Sequence, residues 1–256
     1  MNGFAVTSLF LKNLLDTIGV DMHMHSTFSD GASSVTEILE KAKEGKFGIS
    51  ITDHNEIRGA IMAWDKDVFV VPGIEVKSKE LIDILFYFNK IEDLISFYGK
   101  EIEPSKTHFF HTTRTSVPVA KLAELSKIYD CLAVVAHPFG YSVRSSLKDV
   151  YAINRSTLVK FDIYEAINGG NNRKLNQLAL DEIEKEKKAY SGGSDAHSIY
   201  SVGNVRTYAK AESVKEFLDS IRKKENDVVG FEGRLGKFGE YGRFAANKIK
   251  GILNPR

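Results

Sequence analysis

Eight short apolar or β-branched runs alternate along this chain with stretches of helical periodicity, and five of its seven histidines fall at the ends of those runs. The runs cover 19–24, 47–52, 68–76, 81–88, 131–136, 161–167, 189–194 and 204–209. Such alternation builds βα units around a largely parallel sheet or barrel. Helices are expected at 56–64, 118–129, 172–187 and 212–224, and one more should follow Ser34-Val-Thr-Glu37, which fits a capping box and is closed by Gly45. In a βα barrel the C-terminal strand ends share one rim, so side chains scattered from 23 to 197 converge on one cavity.

Three other features bound the chain. At 256 residues and 43% hydrophobic it can bury a sizeable core, and without a repeat or long linker it reads as one domain over 1–256. Its 35 basic and 34 acidic residues give no global argument for nucleic acid or membrane binding. The single cysteine, Cys131, sits in an apolar run and suits a reducing compartment. Lys12 and Asp16 interrupt the leucines of residues 1–18, which read as an N-terminal helical extension rather than a signal peptide. No run nears the roughly 18 apolar residues of a membrane span, and a cytoplasmic location is expected. Residues 98–117, with Pro104, His108, His111 and Arg114, read as an irregular loop over the site.

The chemistry lies in the histidine clusters. His23 and His25 are two apart, which on a strand directs both imidazoles to one face, where they can chelate a single ion. Alone that motif is weak; its coincidence with Asp30, His54, Glu75, His137, Asp195 and His197 makes a multinuclear metal centre the expectation. Imidazoles mixed with carboxylates favour zinc, iron or manganese over calcium or magnesium. Glu75 has two oxygens and suits bridging, and paired ions can bind a phosphoryl group and acidify a water.

Six stretches give the chain a resemblance to the PHP (polymerase and histidinol phosphatase) superfamily, in particular its short stand-alone metal-dependent phosphoesterases. They are Asp21-Met-His-Met-His-Ser-Thr-Phe-Ser-Asp-Gly31, Ile51-Thr-Asp-His-Asn55, Pro72-Gly-Ile-Glu75, Ala136-His-Pro138, Tyr164-Glu-Ala-Ile-Asn-Gly169 and Gly193-Ser-Asp-Ala-His197, in the family's order across about 19–210. The resemblance implies a distorted (β/α)7 TIM-like barrel with two or three divalent ions, zinc, manganese or iron, at the C-terminal rim. It implies that His23, His25, Glu75 and Asp195 form the catalytic heart and hold one ion. Glu75 then bridges to a second completed by His137, while Asp30, His54 and His197 hold a third. One departure stands out: where relatives carry a histidine in a segment like His-Ile-Leu-Gly-Tyr-Phe, this chain has Asp83-Ile-Leu-Phe-Tyr-Phe88. Asp83 is either a harder ligand of the second ion or an ordinary polar residue of an edge strand.

Supporting roles follow. Asp53 either fixes the tautomer of a neighbouring imidazole or caps the helix after 55. Glu165 and Asn168 match the family's strand-end motif and are expected to back the ligands. Lys77, Arg114 and Arg144 are the candidates for gripping substrate phosphate, each also readable as a surface charge. The basic tail at 232–256, with Arg234, Lys237, Arg243, Lys248, Lys250 and Arg256, reads as a helix packing its aromatics inward, with polyanion contact as the alternative.

The expected activity is hydrolysis of a phosphate ester by a metal-activated hydroxide, on a small phosphorylated metabolite or nucleotide. Alternatives are a phosphodiesterase or exonuclease on nucleotides or short oligonucleotides, and a non-catalytic metal-stabilised interaction module. Nucleic acid is possible but not favoured as partner.

Overall fold

The computed structural model describes residues 4–5, 16–109, 112–142, 145–146 and 154–230. Ten strands form two five-stranded sheets. One runs Phe4–Ala5, Asp227–Gly230, Val205–Ala209, Ile18–Met24, Gly48–Ile51; the other runs Ala189–Gly193, Ile163–Asn168, Leu132–Val135, Asp83–Tyr87, Gly73–Lys77. The α/β class is as the sequence suggested, but the pairing is not largely parallel. Only Ile18–Met24 with Gly48–Ile51, and Ile163–Asn168 with its two neighbours, pair in parallel. Gly73–Lys77 and Asp83–Tyr87 are an antiparallel hairpin, because five residues between them are far too few for the crossover that a parallel pair needs.

That reversal matters for the site. The strand Asp83–Tyr87 enters at the end where its parallel-running neighbours leave, so its first residue, Asp83, stands beside the ends that carry the other candidates. Alternation then puts Lys77 and Glu75, two apart, on one face of the hairpin with Asp83, which pairs directly with Lys77. The same face carries Leu85 and Tyr87; the buried Tyr87 hydroxyl donates to the Met22 carbonyl at 2.6 Å, linking the two sheets through the core.

The sheets meet at two seams made of single bridges rather than ladders: Met24 with Ala196, and His54 with Glu75 together with Ile49 and Val70. At the first seam the Asp195 amide donates to the His23 carbonyl (2.7 Å) and the His25 amide to the Ala196 carbonyl (2.9 Å). Gly193 permits this approach; a Cβ there would lie 2.4 Å from the His23 backbone nitrogen. Buried Asp21 accepts from the amides of Ser194 and Gly203 and fastens the same seam.

The helix Val35–Gly45 opens on the expected capping box between Ser34 and Glu37, and Lys46, not a glycine, adopts the left-handed stop. Helices at Arg58–Ala63, Val119–Ile128, Arg173–Glu186 and Val214–Lys223 fall where periodicity put them. The helix Ile91–Phe97 and the strand Asp227–Gly230 are additional. Residues 98–117 are not an irregular loop: a π-helical turn at Tyr98–Ile102 and a 3-10 turn lead into a hairpin of Lys106–Phe109 with Thr112–Thr115. Of the 1–18 extension, Phe4–Ala5 is a strand against Asp227–Gly230 and Ile18 begins the next. The 232–256 tail, Arg144 and His111 lie outside the described residues. Among the described residues no helix is long and apolar enough to cross a membrane.

Candidate metal centre

His23 and His25 occupy the last turn-free residues of and beyond the Ile18–Met24 strand, fully buried, with ring nitrogens Nε2 3.3 Å apart. His25 Nε2 lies 3.2 Å from Asp195 Oδ1 and 3.4 Å from Glu75 Oε2; His23 Nε2 lies 3.6 Å from Asp195 Oδ1 and 3.5 Å from Glu75 Oε1. Donors placed tetrahedrally at about 2.0–2.1 Å from a zinc ion are spaced by roughly 3.3–3.4 Å. Each of the two imidazoles therefore stands at about ligand spacing from both carboxylates, with Glu75 meeting His23 by Oε1 and His25 by Oε2. Around them His137 Nε2 is 3.1 Å from Glu75 Oε1, and Asp30 Oδ2 is 3.2 Å from His197 Nε2 and 3.6 Å from His54 Nε2.

The outward partners of two rings favour, in the neutral imidazole, the tautomer that metal binding requires. His23 Nδ1 faces Glu165 Oε1 at 3.0 Å and His197 Nδ1 faces the Asp195 carbonyl at 2.9 Å, so each ring donates outward and turns a lone pair inward. Glu165 does more than orient one ring: its other oxygen accepts from the His137 amide (2.7 Å) and from Asn168 Nδ2 (2.9 Å), and Asn168 also donates to Asp195 Oδ2. Both backing roles expected for Glu165 and Asn168 thus have contacts behind them. His137 and Asp195 hold left-handed backbones, φ +28° and +50°, which other contacts must hold in place.

Asp53 takes neither expected part. Its carboxylate accepts from the Ser26 amide and from the hydroxyls of Ser26 and Ser29, and so anchors the loop that presents Asp30. The two serines were not singled out from sequence, though Asp30 four residues beyond Ser26 pointed to that loop. Lys77 is not turned to solvent: its ammonium lies 2.7 and 2.6 Å from the two oxygens of Asp83. Asp83 gathers with His54 and Glu75, not with His137. Arg114 is half-buried on Thr112–Thr115, the strand tied to Lys77 where the Thr115 hydroxyl donates to its carbonyl. His108 lies on Lys106–Phe109.

The residues fit divalent ions. Two polar atoms aimed into the cluster, His25 Nδ1 and Glu75 Oε2, are buried without a hydrogen-bond partner. Carboxylates and imidazoles compensate one another instead. Burial pushes His23 down, but Glu165, Asp195 and Glu75 outweigh it and hold its pKa well above the usual value. Burial and then Glu75 and Asp30 act likewise on His54, which rises to about 9. Burial and the neighbouring His197 lower His25 to about 3. Burial would raise Glu75, yet His54 and His23 hold it well below the carboxylate range.

Protonated His54 must give up its proton before that nitrogen can ligate, so ion uptake releases protons and affinity rises with pH between about 6.5 and about 9. Titration with zinc in weakly buffered solution checks this; uptake that is flat over that interval would contradict it.

Comparison with known proteins gives a consistent picture. A family model described as "PHP domain" matches residues 21–131, and one described as "PHP-associated" matches 173–226. An uncharacterized protein of Methanocaldococcus jannaschii is 26% identical over 231 residues, 85% of each chain. Among solved structures, a two-domain protein from Bacteroides vulgatus containing a predicted PHP-like metal-dependent phosphoesterase superposes with a TM-score of 0.60 at 15% identity, over 84% of this chain and 65% of that one. The lesion-specific endonuclease Q of Pyrococcus furiosus superposes with a TM-score of 0.64 at 18% identity, over 83% and 57%. This chain spans less than two thirds of either of those two chains. PsfC from Pseudomonas syringae superposes at 0.63 and 16% identity over 91% and 99%.

Proposed function

From the premise that the chain is a PHP domain protein with PHP-like metal-dependent phosphoesterases among its structural neighbours, we propose that it hydrolyses phosphate esters at the centre between His23 and Asp195. The observation that carries this reading is that His23 and His25 each stand 3.2–3.6 Å from both Glu75 and Asp195, residues brought together across the seams of the fold. The reading takes the two sheets as halves of a distorted (β/α)7 barrel.

His23, His25, Glu75 and Asp195 would hold one divalent ion, zinc, manganese or iron; Asp30, His54 and His197 would hold another, and His137 would join Glu75 at a further position. When bound, such ions acidify a water and neutralise charge on the phosphoryl oxygens. The chain's own residues do the rest. Glu165 keeps His23 in the ligating tautomer, and Asp53 holds the Asp30 loop through its serines. Buried neighbours keep the centre dry on the His23 side, whereas Asp30 is 47% exposed and His54 19%, so substrate enters past them. Lys77, 22% exposed, lies at the edge of the centre with its charge matched by Asp83.

The test is a substrate panel. Protein loaded with zinc, manganese or iron is expected to release phosphate from at least one sugar phosphate, nucleotide or histidinol phosphate. Metal-loaded protein inert both across the panel and on short oligonucleotides would sink the enzyme reading in favour of a metal-stabilised interaction module. A second reading, phosphodiester cleavage, draws on the likeness to endonuclease Q; cleavage of short oligonucleotides without monoester turnover would favour it.

A further inference from the structure

We propose that the Asp83 corner of the centre takes no divalent ion and that the Lys77 ammonium is its resident cation. This rests on the reading of the centre as a metal site. The hairpin register places Lys77 directly opposite Asp83. The connecting turn sets that register: the Ser78 amide donates to the Ile82 carbonyl, the Leu81 amide to the Ser78 carbonyl, and the Ser78 hydroxyl receives the Ile82 amide. The backbone of Lys77 is held from both sides, its amide donating to Asn55 Oδ1 and its carbonyl accepting from the Thr115 hydroxyl. Asn55 itself sits in a left-handed backbone, φ +50°, with its amide on the Glu75 carbonyl. An ammonium so fixed reaches both oxygens of Asp83, at 2.7 and 2.6 Å. A divalent ion bonded to either oxygen would have to expel it or sit beside a like charge.

The remaining donors of that corner are committed elsewhere. His54, Glu75 and Asp83 bring ligand atoms within 4.8 Å of one another, but a neutral imidazole has one lone pair. His54 Nε2 points to Asp30, beside His197 Nε2; spending the lone pair there leaves a proton on Nδ1, next to Glu75 Oε2. Two carboxylates and an ammonium are then all the corner has. It is a neutralised pair at the edge of the centre, with Asp83 a positioning residue for Lys77.

Metal counting decides it without recourse to turnover. Wild type and variants are saturated with manganese or zinc, desalted, and counted by elemental analysis. Asp83→Asn is expected to keep the wild-type count. Lys77→Met is expected to keep that count as well, because the two carboxylates left behind lack a third donor once His54 serves Asp30, and to melt at a lower temperature than Lys77→Arg, since it leaves the Asp83 carboxylate buried without its cation. Loss of one equivalent in Asp83→Asn, or a Lys77→Met variant as stable as Lys77→Arg, overturns the proposal while leaving the centre's other ligands intact. A wild type that retains no metal fails earlier and differently, by removing the centre itself.

Discussion

His25→Ala abolishes ion retention among His23, Glu75 and Asp195 and lowers phosphate release by at least about 100- to 1,000-fold, the scale of losing one preorganised charge-stabilising contact in a buried site. The substitution removes the ring that lies within 3.2–3.4 Å of three partners, His23, Glu75 and Asp195. Glu75 and Asp195 then face each other across a gap with fewer neutralising neighbours. Elemental analysis and turnover on the best panel substrate are read together, with circular dichroism to show that the fold persists. Unchanged metal content in a folded variant would remove His25 from the ligand set, and unchanged turnover would separate the centre from the activity.

Glu165→Gln is the second large effect, although Glu165 is not itself placed as a ligand. Its carboxylate receives three donors: His23 Nδ1, the His137 amide and Asn168 Nδ2. A glutamine keeps the shape but offers only one oxygen, so its NH2 must meet a donor at one of the three positions. Metal affinity is expected to fall about 10- to 100-fold, the usual cost of losing a carboxylate behind a ligating imidazole. Competition with a chelator of known affinity measures it. Affinity equal to wild type would mean that His23 is oriented by packing alone.

The clusters were legible in the sequence because each is local: a His-x-His on a strand, or an aspartate two residues before a histidine, needs no tertiary knowledge to be noticed. Their convergence also followed from one rule about strand ends. Strand direction was not legible in the same way, since an apolar run reads alike in either sense. The connection was the missed signal, for five residues from Ser78 to Ile82 permit a hairpin and exclude a crossover. With the hairpin recognised, Lys77 opposite Asp83 would have been a one-step deduction, and Lys77 would not have been treated as an unattached phosphate grip. Asp53 is another case. Its partners Ser26 and Ser29 are more than twenty residues away, and which loop it ties down is settled only by the packing of two strands.

The two seams have an entropic consequence. His23, His25, Glu75 and Asp195 straddle the gap between the sheets, His25 and Asp195 lying 170 positions apart, and the seams are closed by isolated bridges rather than ladders. Contacts of that sequence separation close long loops and are entropically costly to form. Closing these seams carries the entropic cost of long loops, and a bound ion would serve as the stitch that holds the finished fold shut.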